Sequence, residues 1–427
     1  MPRPSRPTLV LALLLLLAAA PAAAKAPPAP DAPGPYAVGY TTFEAFDATR
    51  DRALPVHVWY PVLPRDASGP PAVYGVLFLG LPSPVAIADA PLPRRGLFPL
   101  VVFSHGNGGL GLQSFFLTEA LASHGFVVVA PDHTGNTLVD ALFGDLDTAA
   151  ILRSALDRPR DVSFLIDLML ERSFTPGDRF HLAVNPFRIG VAGHSFGGFT
   201  SLAVAGGFDA EAAFAFGVAV PPDFVPIPPD PRVRAIVPIA PASTPLGDGE
   251  LARIRVPTLL IGGTLDRTTP LVPEVTRPFE WIRGRPLYRA DLIDAAHFSF
   301  TNACDLIALA TGAGLPPDLV DGAIAGANRE GCAPDLLPVA EAQRITNLLA
   351  VAFLRRHLAG DGRYERYLQP AWIERREPDL DLFRAREGRA HPCPGCGAPA
   401  RLAPPPAVRP NARPGACRPG LAGCPRR

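Results

Sequence analysis

The sequence predicts an α/β fold, about eight strands in a mostly parallel sheet with helices on both faces. Short apolar runs recur at Pro99 to Phe103, Phe126 to Ala130, Ile189 to Ala192, Ile236 to Ala240, Thr258 to Ile261 and Leu287 to Ile293. Runs of this length and composition read as strands buried on both faces. Most are spaced widely enough to hold a crossover helix, which parallel neighbours require. At one strand end, Arg188 to Ala192 leads into Gly193-His194-Ser195-Phe196-Gly197 and then a helix-like run from Phe199 to Ala205. That is a strand, a sharp turn and a helix, with a serine at the apex.

The individual elements follow in chain order. Arg3 and Arg6 precede an apolar stretch from Thr8 to Ala20, with small residues at Ala22-Ala23-Ala24. Residues 1–24 therefore read as a secretory signal, too short in its apolar core to span a bilayer. Residues 25–35 form a Pro/Ala-rich linker, expected to be disordered. The folded domain is expected over 36–375, opening with an edge hairpin from Tyr36 to Phe46 and Leu54 to Tyr60. A helix is expected around Pro273 to Arg283. The Pro/Gly/Arg/Cys-rich stretch 376–427 lacks apolar runs and is expected to be a disordered tail.

The turn at Ser195 suggests nucleophilic acyl transfer. A serine hydroxyl needs a base to take its proton, an acid to orient the base, and donors for the oxyanion. Asp266 follows the strand-like Val256 to Gly263, and His297 follows the strand ending at Ile293. Ser104-His105-Gly106-Asn107-Gly108-Gly109 follows an earlier strand, and its glycines let backbone amides turn toward a substrate carbonyl. The backbone N–H groups of Asn107 and Phe196 are the candidate oxyanion donors. His105 and His133 are candidate pocket residues, each with a structural reading as the alternative. His194 is expected to point back beneath the turn.

Ser104 to Gly109, Ala130-Pro131-Asp132-His133, Arg158-Pro159-Arg160-Asp161-Val162-Ser163-Phe164 and Gly193 to Gly198, together with Asp266 and His297, resemble the dienelactone-hydrolase-like esterases. Within them the chain is most similar to the secreted bacterial branch related to platelet-activating-factor acetylhydrolases and cutinase-like polyester hydrolases. The resemblance covers roughly Tyr36 to Trp372 and implies the α/β-hydrolase fold, with Ser195, Asp266 and His297 in the chain order of that fold. Two departures bear on substrate. Dienelactone hydrolases carry a cysteine where this chain has Ser195, and the acetylhydrolases place their acid after the strand here spanning Ala235 to Ala240, which ends in Pro241-Ala242-Ser243.

The remaining features bound function. Lysine plus arginine equal aspartate plus glutamate at 40 each, so no net field points to nucleic acid. The expected activity is carboxylic-ester hydrolysis on a small-molecule or lipid-like ester, with no metal or organic cofactor and no obligate protein partner. A lipase or polyester hydrolase working at an insoluble interface is the alternative enzyme, and a non-catalytic binding protein the alternative class. The expected location is periplasmic or secreted, without integral membrane association once the signal is removed. Two insertions, Thr134 to Arg160 and Gly207 to Pro231, are candidate pocket walls, the second through Phe208, Phe214, Phe216 and Phe224, for which capping the core is the equal alternative. Cys304 and Cys332 are a candidate disulfide that restrains the segment after the base, worth roughly 3–4 kcal/mol. Cys393, Cys396, Cys417 and Cys424 lie in the tail, where an oxidisable disordered segment is favoured over a zinc knuckle.

Overall fold

The computed structural model describes residues 26–384, apart from 95, 145, 210–223, 315–320 and 323–324. One sheet organises this region, in the order β11-β10-β9-β8-β7-β5-β6-β2-β1-β4-β3. Its centre consists of β5 (Phe98–Ser104), β6 (Val127–Pro131), β7 (Val184–His194), β8 (Val233–Ile239), β9 (Thr258–Gly263) and β10 (Leu287–Leu292), each parallel to its neighbour. β5, β6 and β9 are buried at every position. A parallel sheet covered on both faces requires such continuous apolar strands.

Alternation along each strand divides the core between two layers. Leu100 and Val102 of β5 and Val127 and Val129 of β6 face α3 (Thr148–Phe174) and α4 (Phe196–Gly206). Val101, Phe103, Val128 and Ala130 face α1 (Phe115–Ser123) and the helix Val339–His357. The register brings the strand ends level: Ser104 lies beside Gly193, Gly193 beside Pro238, and Gly263 beside Leu292. The loops after β5, β7, β9 and β10 therefore leave from one edge of the sheet, where sites of open α/β sheets form.

Among the described residues the sheet has eleven strands, three more than the sequence predicts. β1 (Ala37–Asp47) and β2 (Arg52–Val62) are the expected hairpin. Beyond them lie β3 (Pro71–Val76) and β4 (Leu79–Ala88). Pro71, Gly75, Pro82 and Pro84 argue against strands in the sequence, but proline is tolerated at sheet margins, and this pair stands at the outer edge. The third addition, β11 (Leu380–Arg384), falls inside the stretch read as tail. It pairs antiparallel with β10, Leu382 opposite Ala290, and buries Leu380 and Leu382. The folded region thus continues past residue 375.

The stretch 25–35 also differs from its expectation wherever it is described. Gly34 N–H donates to Ser123 Oγ at 3.0 Å, Tyr36 N–H to the Ser123 carbonyl at 3.1 Å, and His124 Nε2–H to the Ala32 carbonyl at 2.9 Å. The C-terminus of α1 leaves polar groups that need partners, and this segment supplies them. The helix expected around 273–283 is two short helices, Leu271–Glu274 and Thr276–Trp281. Cys304 and Cys332 are bonded, with Cα atoms 5.8 Å apart. The signal reading for 1–24 and the four tail cysteines lie outside the described residues.

The two chain ends make a test of the boundary. A chain stopped at Gly388 keeps β11, whereas one stopped at Arg376 loses two buried leucines worth about 1.5–3 kcal/mol each and bares the β10 edge. The first is expected to melt with the full chain and the second roughly 5 °C or more below it, by calorimetry on matched samples.

Candidate active site

Ser195 stands between the end of β7 and the start of α4, with φ 59° and ψ −117°. A non-glycine residue at positive φ is strained and persists where its surroundings hold it. The Ser195 N–H donates to the Ile239 carbonyl at 2.9 Å, and its carbonyl accepts from Ala242 N–H at 3.0 Å. The flanking glycines are needed for space. A Cβ on Gly197 would lie 1.8 Å from the Ser104 carbonyl oxygen, and one on Gly193 would lie 2.2 Å from the Gly197 carbonyl oxygen. Ser195 is 8 % exposed, and its hydroxyl makes no hydrogen bond among the described residues.

The chain brings Asp266 and His297 together across the ends of β9 and β10. His297 Nδ1–H donates to Asp266 Oδ2 at 2.9 Å. The other carboxylate oxygen accepts the backbone N–H groups of Thr268 and Thr269 at 2.9 and 2.7 Å, which orients Oδ2 toward the imidazole. Thr269 Oγ1 sits beside both, 2.8 Å from Asp266 Oδ2 and 3.1 Å from His297 Nδ1. The other carboxylates near this site are placed differently. Asp294 is exposed, and Asp248 pairs with Arg277 at 2.9 Å.

His194 joins the nucleophile turn to the base loop. Its Nε2–H donates to the His297 carbonyl at 2.9 Å, and its Nδ1 accepts from Gln113 Nε2–H at 2.9 Å. Gln113 Oε1 in turn accepts the Gly106 N–H at 2.9 Å. The His194 and His297 ring centroids are 4.6 Å apart. Burial first, then the neighbouring His297, holds His194 well below the usual imidazole range, so it stays neutral in the one tautomer this chain of bonds allows.

The loop after β5 carries the candidate oxyanion donor. Asn107 N–H and Phe196 N–H have no acceptor among the described residues. The second is the first residue of α4, where helical geometry provides no acceptor. α2 (Leu138–Phe143) packs against this loop: Leu138 N–H donates to the Gly109 carbonyl at 2.7 Å, and a Cβ on Gly108 would lie 2.9 Å from that of Ala141.

His105 and His133 both prove to be buried framework. His133 Nδ1–H donates to Asp161 at 2.8 Å, its Nε2 meets Ser104 Oγ at 2.9 Å, and its backbone N–H donates to His105 Nε2 at 3.0 Å. Ser104, His133 and Asp161 thus repeat the connectivity of a catalytic triad but are sealed from solvent. Phe208 is likewise core, its ring 5.3 Å from that of Phe199. Phe214 and Phe216 lie outside the described residues.

Sequence reasoning assigned no role to Gln113, Arg158, Asp161 or Thr269. Arg158 and Asp161 sit one turn apart on the face of α3 that also buries Ala155 and Val162. A charged pair on an apolar helical face is the signal that could have found them. Burial alone would raise the Asp161 carboxyl, yet the hydrogen bonds of His133 and Arg52 outweigh it and hold the group below the usual carboxylate range.

Buried His133 contributes to the response to acid. Burial, aided by the Arg158 charge, lowers His133 from 6.5 to about 4. The folded state keeps it neutral while the unfolded chain binds a proton below 6.5. Its contribution is therefore complete above pH 6.5 and is lost as pH falls toward 4, on the order of 3 kcal/mol in all. His133→Gln should remove about one proton from the uptake on unfolding near pH 5. The slope of unfolding free energy against pH, from urea titrations, measures this.

Residues 78–226 match the Chlorophyllase family model. Over 210 residues the chain is 25% identical to Cutinase 2 of Thermobifida cellulosilytica, covering 48% of this chain and 63% of that protein. It is equally similar to Cutinase cut1 of Thermobifida fusca, covering 52% of that relative. The chain spans less than two thirds of the length of the curated relatives it matches. The structure superposes on a ferulic acid esterase from Streptomyces cinnamoneus with a TM-score of 0.56 and 24% identity, covering 85% of this chain and 98% of that one. With the strand order, the serine turn and the level loops at one sheet edge, the structural similarity shows that the chain has the α/β-hydrolase fold.

Proposed function

We propose that this protein is an exported serine hydrolase of carboxylic esters. The observation that carries the reading is the pairing of His297 with Asp266 at 2.9 Å on the loops that flank the strained Ser195. His297 takes the Ser195 proton through Nε2 as Oγ adds to the ester carbonyl. The negative charge on the carbonyl oxygen falls to the N–H groups of Asn107 and Phe196. The C–O bond to the alcohol then breaks, His297 returns the proton to the leaving alkoxide, and an acyl-enzyme remains. Water, deprotonated by the same imidazole, adds to the acyl carbon, and Ser195 leaves with the proton. Asp266 keeps the Nδ1–H tautomer and offsets the imidazolium charge.

The cutinase and ferulic acid esterase relatives support ester chemistry over a receptor role. A signal-like start and a disulfide support export, since such bonds persist in oxidising compartments. No helix among the described residues is long and apolar enough to cross a membrane. A second reading, hydrolysis at an insoluble lipid or polyester surface, draws on the apolar side chains next to the site. Val139, Leu142 and Phe143 of α2 are 52 %, 43 % and 71 % exposed beside the Asn107 loop.

Ser195→Ala should fold normally and lose ester turnover by a factor of about 10³ or more. Asp266→Asn should also be severely impaired, because an amide favours the wrong imidazole tautomer, while Asp294→Asn and Asp248→Asn should stay near wild type. Initial rates on p-nitrophenyl esters from acetyl to palmitoyl decide this and rank acyl length. Rapid fluorophosphonate labelling of the wild type, lost in Ser195→Ala, separates hydrolase from binding protein. Full turnover by homogeneous Ser195→Ala would reject the mechanism.

A further inference from the structure

Arg158 is wholly buried, yet its guanidinium makes no ion pair with Asp161 one turn along the same helix. Nη1 donates to the His105 carbonyl, and Nη2 donates to the Gly106 carbonyl at 2.9 Å and to Asn136 Oδ1. Asn136 Nδ2–H then donates to Asn107 Oδ1 at 2.8 Å. The Arg158 Cζ also lies 4.7 Å from the centre of the Phe196 ring. One side chain therefore touches, directly or through Asn136, both residues whose amides are the candidate oxyanion donors. The matching carboxylate, Asp161, is engaged elsewhere by Arg50, Arg52 and His133, each at 2.8 Å.

The Gly106 oxygen and the Asn107 N–H belong to one peptide unit. That unit is trans, so the two groups point in opposite directions. Three donors hold the oxygen on the buried side: Arg158 Nη2, His105 Nδ1–H at 2.7 Å and Gly109 N–H at 3.2 Å. Gly106 has the freedom to let this peptide turn over, which would aim the carbonyl at the substrate and bury the N–H. A charged donor resists that flip more than a neutral one.

We propose that Arg158 is a positioning residue of the oxyanion hole, holding the Gly106 carbonyl beneath the loop so that the Asn107 N–H faces the substrate carbonyl. This rests on the ester-hydrolase reading. Arg158 makes no contact with substrate and acts through the peptide plane. The preceding peptide is fixed in the same sense, its carbonyl by Arg158 and its N–H by Gln113.

The test is the discrimination between p-nitrophenyl butyrate and its thiono analogue, in which sulfur replaces the carbonyl oxygen and accepts hydrogen bonds poorly. The full-length protein is used, with Arg158→Lys, which keeps a charge but cannot span the three acceptors, and Asn136→Ala, which cuts the link to the Asn107 side chain. Arg158→Lys should lower kcat on the oxygen ester about 10-fold to 100-fold, with KM within about two-fold and a matching fall in the oxygen-to-sulfur rate ratio. Asn136→Ala should show a smaller fall in the same ratio. Equal losses on both esters, leaving the ratio unmoved, overturn the proposal, as does unchanged kcat in Arg158→Lys. If Arg158→Lys does not fold, the ratio in Asn136→Ala decides by the same criterion. A wild type that turns over neither ester and resists fluorophosphonate overturns the hydrolase reading itself.

Discussion

The site depends on the contact between the serine turn and the end of β5. Two backbones approach there so closely that a single methyl group at Gly197 or Gly193 would overlap the Ser104 or Gly197 carbonyl. That contact places the turn against the loop after β5, and so fixes how far the Phe196 amide lies from the Asn107 amide. The level strand ends deliver the loops that carry Asp266 and His297 to the same edge. Preorganised amides in a site shielded from water do more for a developing negative charge than mobile ones, because they need not reorient as it forms.

Beneath this apolar sheet edge lies a dense polar layer. Ser104, His105, His133, Asn136, Arg158 and Asp161 are all closed to solvent. Removing one partner from such a cluster leaves a buried charge uncompensated, typically at a cost of about 3–5 kcal/mol. The cost of burying these groups is offset by their mutual bonds, and the result is geometric definition in the loops above. His105 and His133 belong here: they look like pocket residues in sequence because one lies in the loop after β5 and the other just past the end of β6, but they build the floor beneath that loop.

The legible parts of the chain were those whose signal is local. The eight expected strands are apolar runs with clear bounds, and Ser195, Asp266 and His297 each follow one of them. β3 and β4 were hidden by their prolines, and β11 by the composition of the stretch around it, since five residues with alternating leucines resemble a strand only once β10 is known to need a partner. Gln113 was unreadable for a different reason. It lies 81 residues from His194, and neither residue betrays the other until the loop after β5 folds back over the turn. Arg158 and Asp161 were visible as part of a motif, but what they do depends on carbonyls that no residue code identifies.

The two ends of the sheet bear on self-association. A parallel core of this breadth, left open, would offer unpaired amides to another molecule. Instead both margins are short antiparallel strands: β3, six residues with Pro71 and Gly75, and β11, five residues with Asp381 and Arg384 turned outward. Proline, glycine and charge make poor templates for a further strand. Among the described residues, therefore, a sheet whose surroundings leave Phe78, Phe143 and Val272 largely exposed to solvent ends on two margins ill suited to pairing with a neighbour's strand.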